Sequence, residues 1–204
     1  MYHKVLRKIA RTFLGKFYEL RNWSNILLAS DQCTMARGVR IIGDGVVRNF
    51  HGPNNAIKIG ANTVILGELC AFCSGATIEI GEDTYIGPRS NIMAFASIKI
   101  GSRVQISHGV NIYDNNSHST SGSLRFTHMK TILTKGHPPV VEDLDRAPIV
   151  IEDDVWIGFG AIILKGVHIQ RGAIIGAGSI ITKNVAAYAK IVGNPPRQIG
   201  ESRG

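Results

Sequence analysis

The chain has 204 residues, of which 44% are hydrophobic and only 7% aromatic, which is enough for one domain with a core of small aliphatic side chains. A net charge of +8 favours an anionic partner, such as a phosphate-bearing cofactor, a nucleic acid or a lipid surface, without choosing among them. The three cysteines, Cys33, Cys70 and Cys73, exclude a disulfide framework and a four-thiolate zinc site, so we expect a reducing compartment.

The N-terminal segment predicts an amphipathic helix with a basic face. Apolar residues recur at helical spacing, at Val5, Leu6, Ile9, Phe13, Leu14 and Phe17, while Lys and Arg lie mostly elsewhere. The segment is too charged to span a bilayer and lacks the apolar run of a signal peptide, so we expect a protein that is not exported. Two interpretations remain: residues 1–22 contact an anionic membrane surface, or the helix packs on the body of the protein or of its oligomer. We assign residues 1–38 to this helix and its lead-in.

A period of six residues dominates the rest of the chain. It is clearest near the C-terminus, where one isoleucine follows another at Ile151, Ile157, Ile163, Ile169, Ile175 and Ile181. Neither a helix nor a strand has this period, so it indicates a solenoid. Six extended residues reach about 20 Å, and three such sides would close a triangular coil of about 18 residues.

The pattern resembles the hexapeptide-repeat acyltransferases over roughly Val39 to Arg197. The resemblance implies an all-β solenoid, a left-handed parallel β-helix, with the N-terminal helix as a cap. We assign residues 39–192 to the β-helix, with one long extruded loop inserted at 114–148. In the tail, residues 193–204, we expect two prolines to stop strand pairing.

The inserted segment, which interrupts the repeat between Asp114 and Pro148, is the strongest candidate for chemistry. Insertions of this length are usually functional or disordered, and this one leaves a strand directly, so its first residues have a rigid support. His118 matches the general base of the sugar and antibiotic acetyltransferase branch of the family. An imidazole can accept the proton of a hydroxyl, a role worth about 10²- to 10⁴-fold in rate. His108 is the nearest competitor, while His128 and His137 lie deeper in the insertion, where the sequence does not fix their geometry.

The stretches "DDVWIGFGAIILKGV", "IIGAGSIITKNV" and "IVGNPPR" resemble the acetyl-CoA-binding coils of the same branch. The resemblance places Trp156 beside the acyl group and the backbone N–H of Phe159 opposite the thioester carbonyl, where it would stabilise the oxyanion. The Phe159 side chain departs from the small or polar residue of some relatives, so only the backbone role carries over.

The remaining cofactor positions follow the length of the CoA molecule. The resemblance implies that Ala177 and Gly178 are small enough for the pantetheine arm to lie along the coil edge. It assigns Thr182, Lys183 and Arg197 to the nucleotide and its phosphates, where cations suit the negative charge of CoA.

The resemblance implies an acetyl-CoA-dependent O-acetyltransferase that acts on a sugar hydroxyl in surface polysaccharide or lipopolysaccharide biosynthesis. The acceptor is a small-molecule or lipid-linked carbohydrate, and Asn91, Asp114 and Asn116 are the candidates for binding it. We expect direct transfer without a metal, in a cytoplasmic homotrimer with active sites between subunits.

Other functions compete with this one. N-acetylation of an amino-sugar nucleotide would use the same donor site, and a non-catalytic solenoid scaffold would use none. A zinc carbonic anhydrase of similar fold is disfavoured because no two histidines have the short in-coil spacing of its ligands. A nucleic-acid partner is not expected, because the charge lies mostly in the N-terminal helix and no basic groove with interleaved aromatics is evident.

Overall fold

Three flat sheets of short parallel strands form the sides of a coil in the computed structural model of the chain. The structure describes the backbone of residues 2–203 and the side chains of residues 12–17 and 19–203. As far as residue 181, successive strands of the chain lie on successive sheets, so each turn of the coil adds one strand to each side. Three parallel faces and hexapeptide repeats fit a left-handed β-helix.

The strands are numbered in chain order, and the spatial order within each sheet is as follows. Sheet 1 contains β1 (Thr34–Met35), β4 (Ile57–Ile59), β7 (Thr77–Ile80), β10 (Ser97–Ile100), β13 (Ile149–Ile151) and β16 (His168–Ile169). Sheet 2 contains β2 (Arg40–Ile41), β5 (Val64–Ile65), β8 (Tyr85–Ile86), β11 (Gln105–Ile106), β14 (Trp156–Ile157), β17 (Ile174–Ile175), β19 (Ala189–Val192) and β20 (Arg197–Glu201). Sheet 3 contains β18 (Ile180–Ile181), β15 (Ile162–Leu164), β12 (Asn111–Tyr113), β9 (Asn91–Ala94), β6 (Glu68–Ala71) and β3 (Val46–Asn49).

The six-residue period is the period of the inward-facing positions. The six isoleucines from Ile151 to Ile181 are all buried, and they stack in register with those of neighbouring coils. Ile157, for example, pairs with Ile106 on one side and Ile175 on the other. Full burial of such a side chain is worth about 1.5–3 kcal/mol, and each coil obtains it only because the next coil covers it.

Helix α1 (Tyr2–Ser30) covers the first coil. Its C-terminal half contributes Ile26 and Ala29 to the core, and the side chain of Asn25 donates a hydrogen bond to the carbonyl of Gly43. The coil begins earlier than the expected boundary at residue 39, because β1 already pairs with β4 through Thr34 and Met35. Met35, Ile41 and Val47 follow one another at six-residue spacing, so the period extends to this strand as well.

The insertion between β12 and β13 is not all loop. It contains the helix α2 (Gly122–Lys135), and the segment after this helix returns along the N-terminal coils, where the carbonyl of Pro139 accepts a hydrogen bond from the N–H of Ser74. A short 3₁₀ helix (Asn54–Ala56) precedes β4.

The C-terminal tail also departs from expectation. Strand β20 turns back and pairs antiparallel with β19, so Arg197 lies in a strand opposite Val192. The two prolines between these strands therefore occupy a turn and do not end the pairing.

Candidate functional site

The turns between sheets 2 and 3, termed the 2–3 corner, form one row along the coil. They include residues 87–90, 107–110, 158–161 and 176–179 in four successive coils, and His108, Phe159 and Ala177 are exposed within them. The register of the flanking strands aligns His108, Phe159 and Ala177 at equivalent positions. The carbonyl of His108 accepts a hydrogen bond from the N–H of Gly160, and the carbonyl of Phe159 accepts one from the N–H of Gly178. By contrast, the N–H groups of His108, Phe159 and Ala177 have no acceptor within residues 2–203. With coils about 4.8 Å apart, the corner presents a row of three free donors.

Small residues keep the coils close at this corner. A Cβ on Gly158 would lie 2.6 Å from the backbone nitrogen of Ala177, so only glycine allows the observed approach. Gly178 has a φ of +66°, a conformation that L side chains rarely adopt, and open space lies where its side chain would be. A flat molecule can therefore contact the backbone here.

Aromatic side chains flank the row of donors. The ring of Phe159 stacks in parallel on the imidazole of His108, with 5.2 Å between the ring centroids. Trp156, which is half exposed, directly follows the buried Val155 and points outward from sheet 2. The imidazole of His108 therefore lines this corner and contacts Phe159, whose N–H the family resemblance assigns to the oxyanion.

The end of the row lies near Arg197. The N–H of Gly176 donates to the carbonyl of Ile191 at 2.7 Å, so β19 continues the corner by one coil. Arg197 pairs with Val192 at the end of β19 and is exposed. The structure therefore places these predicted residues along one side of the coil, from β14 to β20: Trp156, Phe159, Ala177, Gly178 and Arg197.

The other predicted residues, apart from Asn91, lie at a different corner. The turns between sheets 3 and 1, termed the 3–1 corner, comprise the insertion 114–148, residues 165–167 and residues 182–184. Thr182 and Lys183 are exposed here, and Lys165 of the preceding coil contacts the side chains of Asn116 and Asp145, at 3.0 and 2.9 Å.

His118 lies in the same corner, against helix α2. Its Nδ1 is 3.1 Å from Nδ1 of His128, and the two rings meet edge to face. His118 is exposed, whereas Nε2 of His128 is buried and has no hydrogen-bond partner within the described chain. Burial lowers the pKa of His128 below its ordinary value, and His118 and His137 lower it further. His128 is therefore harder to protonate than an ordinary histidine.

Asp114 has a structural position that the sequence did not reveal. It is fully buried, and its carboxylate accepts hydrogen bonds from the N–H groups of Phe95 and Ala96, both at 2.8 Å, and from the amide of Asn115. Burial raises the pKa of this carboxyl despite those hydrogen bonds. The structure corrects the prediction that Asp114 binds the sugar acceptor, because both of its carboxylate oxygens accept hydrogen bonds that join two coils.

The other two acceptor candidates keep polar groups at the surface. Asn116 is exposed beside Lys165. Asn91, which begins β9 and is partly exposed, donates its amide to the side chain of Asn111 at 2.9 Å, and the turn before it belongs to the 2–3 corner.

One side of the triangle separates the two groups of residues. From Phe159 to Lys165 the chain runs along sheet 3, and six extended residues span about 20 Å. A single chain therefore does not bring His118 to the N–H of Phe159. Within residues 2–203 no cluster of three His, Cys, Asp or Glu side chains has the arrangement of a metal site.

Two family models match the repeats. "Bacterial transferase hexapeptide (six repeats)" matches residues 148–183, and "Hexapeptide repeat of succinyl-transferase" matches residues 77–114. These stretches include β7 to β12 and β13 to β18, the coils that build both corners. The resemblance to hexapeptide-repeat transferases inferred from the sequence is confirmed.

A curated relative matches a shorter part of the chain. The 2,3,4,5-tetrahydropyridine-2,6-dicarboxylate N-acetyltransferase of Staphylococcus aureus is 44% identical over 63 residues, which is 31% of this chain and 26% of the relative. The match thus spans about a quarter of the length of that enzyme.

Solved structures match over most of the chain. AntD, an N-acyltransferase from Bacillus cereus in complex with dTDP and 3-hydroxybutyryl-CoA, has a TM-score of 0.68 and 18% identity, covering 90% of both chains. The hexapeptide-repeat-containing acetyltransferase VCA0836 from Vibrio cholerae O1 biovar eltor, complexed with acetyl coenzyme A, has a TM-score of 0.53 and 20% identity, covering 97% of this chain and 89% of that one. At these identities the likeness establishes the fold.

Proposed function

We propose that the protein is an acetyltransferase that moves the acetyl group of acetyl-CoA to a hydroxyl of a sugar. The observation that carries this proposal is the row of free N–H groups at His108, Phe159 and Ala177, beside coils that match the hexapeptide transferases. Pantetheine contains two amides and a thioester along an extended arm, so a row of backbone donors at an open edge suits it. The CoA-bound neighbours support the same donor.

The proposed reaction is a direct transfer. Nε2 of His118 takes the proton of the acceptor hydroxyl as its oxygen attacks the thioester carbon, and the N–H of Phe159 stabilises the oxyanion that forms. When the tetrahedral intermediate collapses, the carbon–sulfur bond breaks and the CoA thiolate leaves with the proton held by His118. The products are the O-acetyl sugar and CoA, with no oxidant or covalent enzyme intermediate.

A homotrimer completes this site. The donor residues lie at the 2–3 corner, whereas His118, Thr182 and Lys183 lie at the 3–1 corner of the same chain. Three prisms around a common axis would set the 2–3 corner of one subunit against the 3–1 corner of the next. The base, the thioester and the cations of Lys183 and Arg197 would then share one cleft. Sedimentation equilibrium tests this directly: an active monomer at the assay concentration would contradict it.

An amine acceptor is the second candidate. It is favoured by the S. aureus N-acetyltransferase and by AntD, which has also been solved with dTDP-4-amino-4,6-dideoxyglucose and coenzyme A. Transfer to an amine and transfer to a hydroxyl would use the same acetyl-CoA site, and both need a base to remove a proton from the attacking atom. The geometry of this site therefore does not distinguish the two acceptors.

An acceptor screen tests the proposal and separates the two candidates. Purified protein is given acetyl-CoA with sugars, lipid-linked saccharides or amino-sugar nucleotides, and the released CoA thiol is followed. O-acetyl products lose their acetyl group in mild alkali, whereas N-acetyl products keep it. Absence of CoA binding by calorimetry would instead support a non-catalytic scaffold.

We place the reaction in the cytoplasm, in the assembly of a surface polysaccharide.

A further inference from the structure

Helix α1 exposes a continuous apolar surface on the side that faces away from the coil. The residues of this outer stripe are more than half exposed, from 54% for Leu14 to 76% for Phe13: Phe13, Leu14, Phe17, Leu20, Trp23, Leu27 and Leu28. The opposite side of the same helix holds Asn22, Asn25, Ile26 and Ala29 against the first coil. At 100° per residue the stripe covers about half of the helix circumference. Packing on the coil therefore does not account for it.

The helix also carries most of the charge of the chain. The segment 2–30 contains six Lys and Arg residues and one acidic residue, Glu19, so it supplies five of the eight net positive charges. Within residues 2–203 no helix is both long enough and apolar enough to cross a bilayer. An apolar stripe with a strongly basic helix is the pattern of a helix that lies flat in a membrane interface.

We propose that the outer stripe of α1 docks the protein on an anionic lipid surface. Phe13, Phe17 and Trp23 would enter the boundary between headgroups and acyl chains, and the net positive charge of segment 2–30 would attract the negative headgroups. A second copy of the chain fits the stripe less well, because pairing two such helices brings ten net positive charges together. The charge is thus complementary to lipid and unfavourable for self-association.

The position of α1 gives the docking a direction. The helix packs on β2 and β3, at the N-terminal end of the coil, whereas His118 follows β12, three coils further along. At about 4.8 Å per coil, the base would stand about 15 Å above the plane of the helix. In the proposed trimer all three helices would lie at the same end and bind one surface together. This part of the inference rests on the proposed function and fits a lipid-linked acceptor.

Vesicle flotation with the full chain tests the docking. The vesicles are phosphatidylcholine alone or with about 30% phosphatidylglycerol, and the variant is Phe17→Ser/Leu20→Ser. The matched control is Phe126→Ser/Leu133→Ser, which removes a phenylalanine and a leucine of similar exposure from α2. We expect the wild type and the control to partition at least about 10-fold more strongly to the anionic vesicles, and the α1 variant to lose this binding. Quenching of tryptophan fluorescence by brominated lipids should disappear in Trp23→Phe.

Two outcomes would overturn the docking. One is equal vesicle binding by the wild type and both double variants. The other is a lower sedimentation mass of Phe17→Ser/Leu20→Ser with unchanged vesicle binding, which would make the stripe a subunit interface. Acetyl transfer to a water-soluble acceptor is measured on the same preparations, so a failure of docking is distinguished from a failure of the proposed reaction.

Discussion

Nδ1 of His118 and Nδ1 of His128 lie 3.1 Å apart, so when both rings are neutral only one of these atoms carries a hydrogen. If His118 donates, its Nε2 has a free lone pair and can take a proton from the acceptor. If His128 donates, Nε2 of His118 is already protonated and cannot act as a base. Once His118 has taken the proton, both of its nitrogens donate, and the neutral His128 can accept one of these bonds. The proposed mechanism is therefore favoured by a hydrogen-bond acceptor at position 128.

Replacement of His128 tests this positioning role. His128→Leu should lower kcat by about 10-fold or more, since the correct tautomer of His118 is no longer selected. His128→Asn should recover most of the activity, because its amide oxygen is attached at the same distance along the side chain as Nδ1. The KM for acetyl-CoA should change little in either variant. Equal losses in the Leu and Asn variants would mean that His128 only packs, and ¹⁵N NMR of the His118 ring would report the tautomer independently.

Loss of the base itself should be larger. We expect His118→Ala to bind CoA like the wild type and to transfer acetyl at least about 10²-fold more slowly. His108→Ala is the matched comparison, because His108 also lies at the proposed site but stacks on Phe159. Its main effect should be on the KM for acetyl-CoA. The assignment of the base moves to His108 if that variant loses turnover while His118→Ala keeps it.

The phosphate end of CoA should depend on Lys183 and Arg197. Each Ala variant is expected to raise the KM for acetyl-CoA with a smaller change in kcat, since contacts with the nucleotide are the same in the ground state and the transition state. Steady-state kinetics with acetyl-CoA and with acetyl-dephospho-CoA measures the effect. If wild type and variants do not distinguish the two donors, neither cation recognises the 3′-phosphate.

The close approach of the coils at Gly158 should be needed for binding CoA and not only for stability. In Gly158→Ala the new Cβ would meet the backbone nitrogen of Ala177, so we expect the N–H row to shift and CoA affinity to fall by about 10-fold or more. Gly60→Ala creates an equally short contact, 2.4 Å from Gly81, in a coil far from the site. Calorimetry of CoA binding beside thermal melting separates the two effects. Similar affinity losses at similar melting temperatures would show that only general stability is involved.

Asp114 gives the stability of the protein a defined pH dependence. Burial raises its pKa in the folded chain above the ordinary value of 3.8, so the native state holds this proton more tightly than the unfolded state. Its contribution to the free energy of unfolding is therefore largest below 3.8 and falls as the pH rises to the raised value. Asp114→Asn should remove this slope and cost about 1–3 kcal/mol, because the amide cannot accept from both Phe95 and Ala96. Urea unfolding of both proteins from about pH 3.5 to pH 7 measures the difference, and parallel curves would contradict the assignment.

The coil was predictable because its determinants are local and repeated. Each inward isoleucine is followed six residues later by the next, so the position of one of them predicts which residues face inward in the neighbouring coils. The partner of His118 was not predictable in this way. His128 lies ten residues further along and reaches it because helix α2 turns back over the start of the insertion, where the side chain of Arg125 donates a hydrogen bond to the carbonyl of Ser119. Contacts of this kind leave no periodic pattern.

The division of the site between two corners was also beyond the sequence. The residues carried over from the family were predicted as one set, and each lies on a turn or in the insertion apart from Trp156 and Arg197, which lie on strands. Which corner a turn occupies depends on how many sides the chain has completed before it. The insertion hides that count, because it replaces one short turn by the long segment 114–148 without changing the sheet that follows.

The insertion leaves the strands around it undisturbed, and this has an evolutionary consequence. Ile98 pairs with Ile149 and Ile100 with Ile151, so the coil after residue 148 continues the stacking as if the chain had not departed. Selection can therefore lengthen, shorten or replace the segment from Asp114 to Pro148 while the backbone edge formed by Phe159 and Ala177 stays the same. A lineage of such proteins could change the molecule it modifies many times and inherit the same donor throughout.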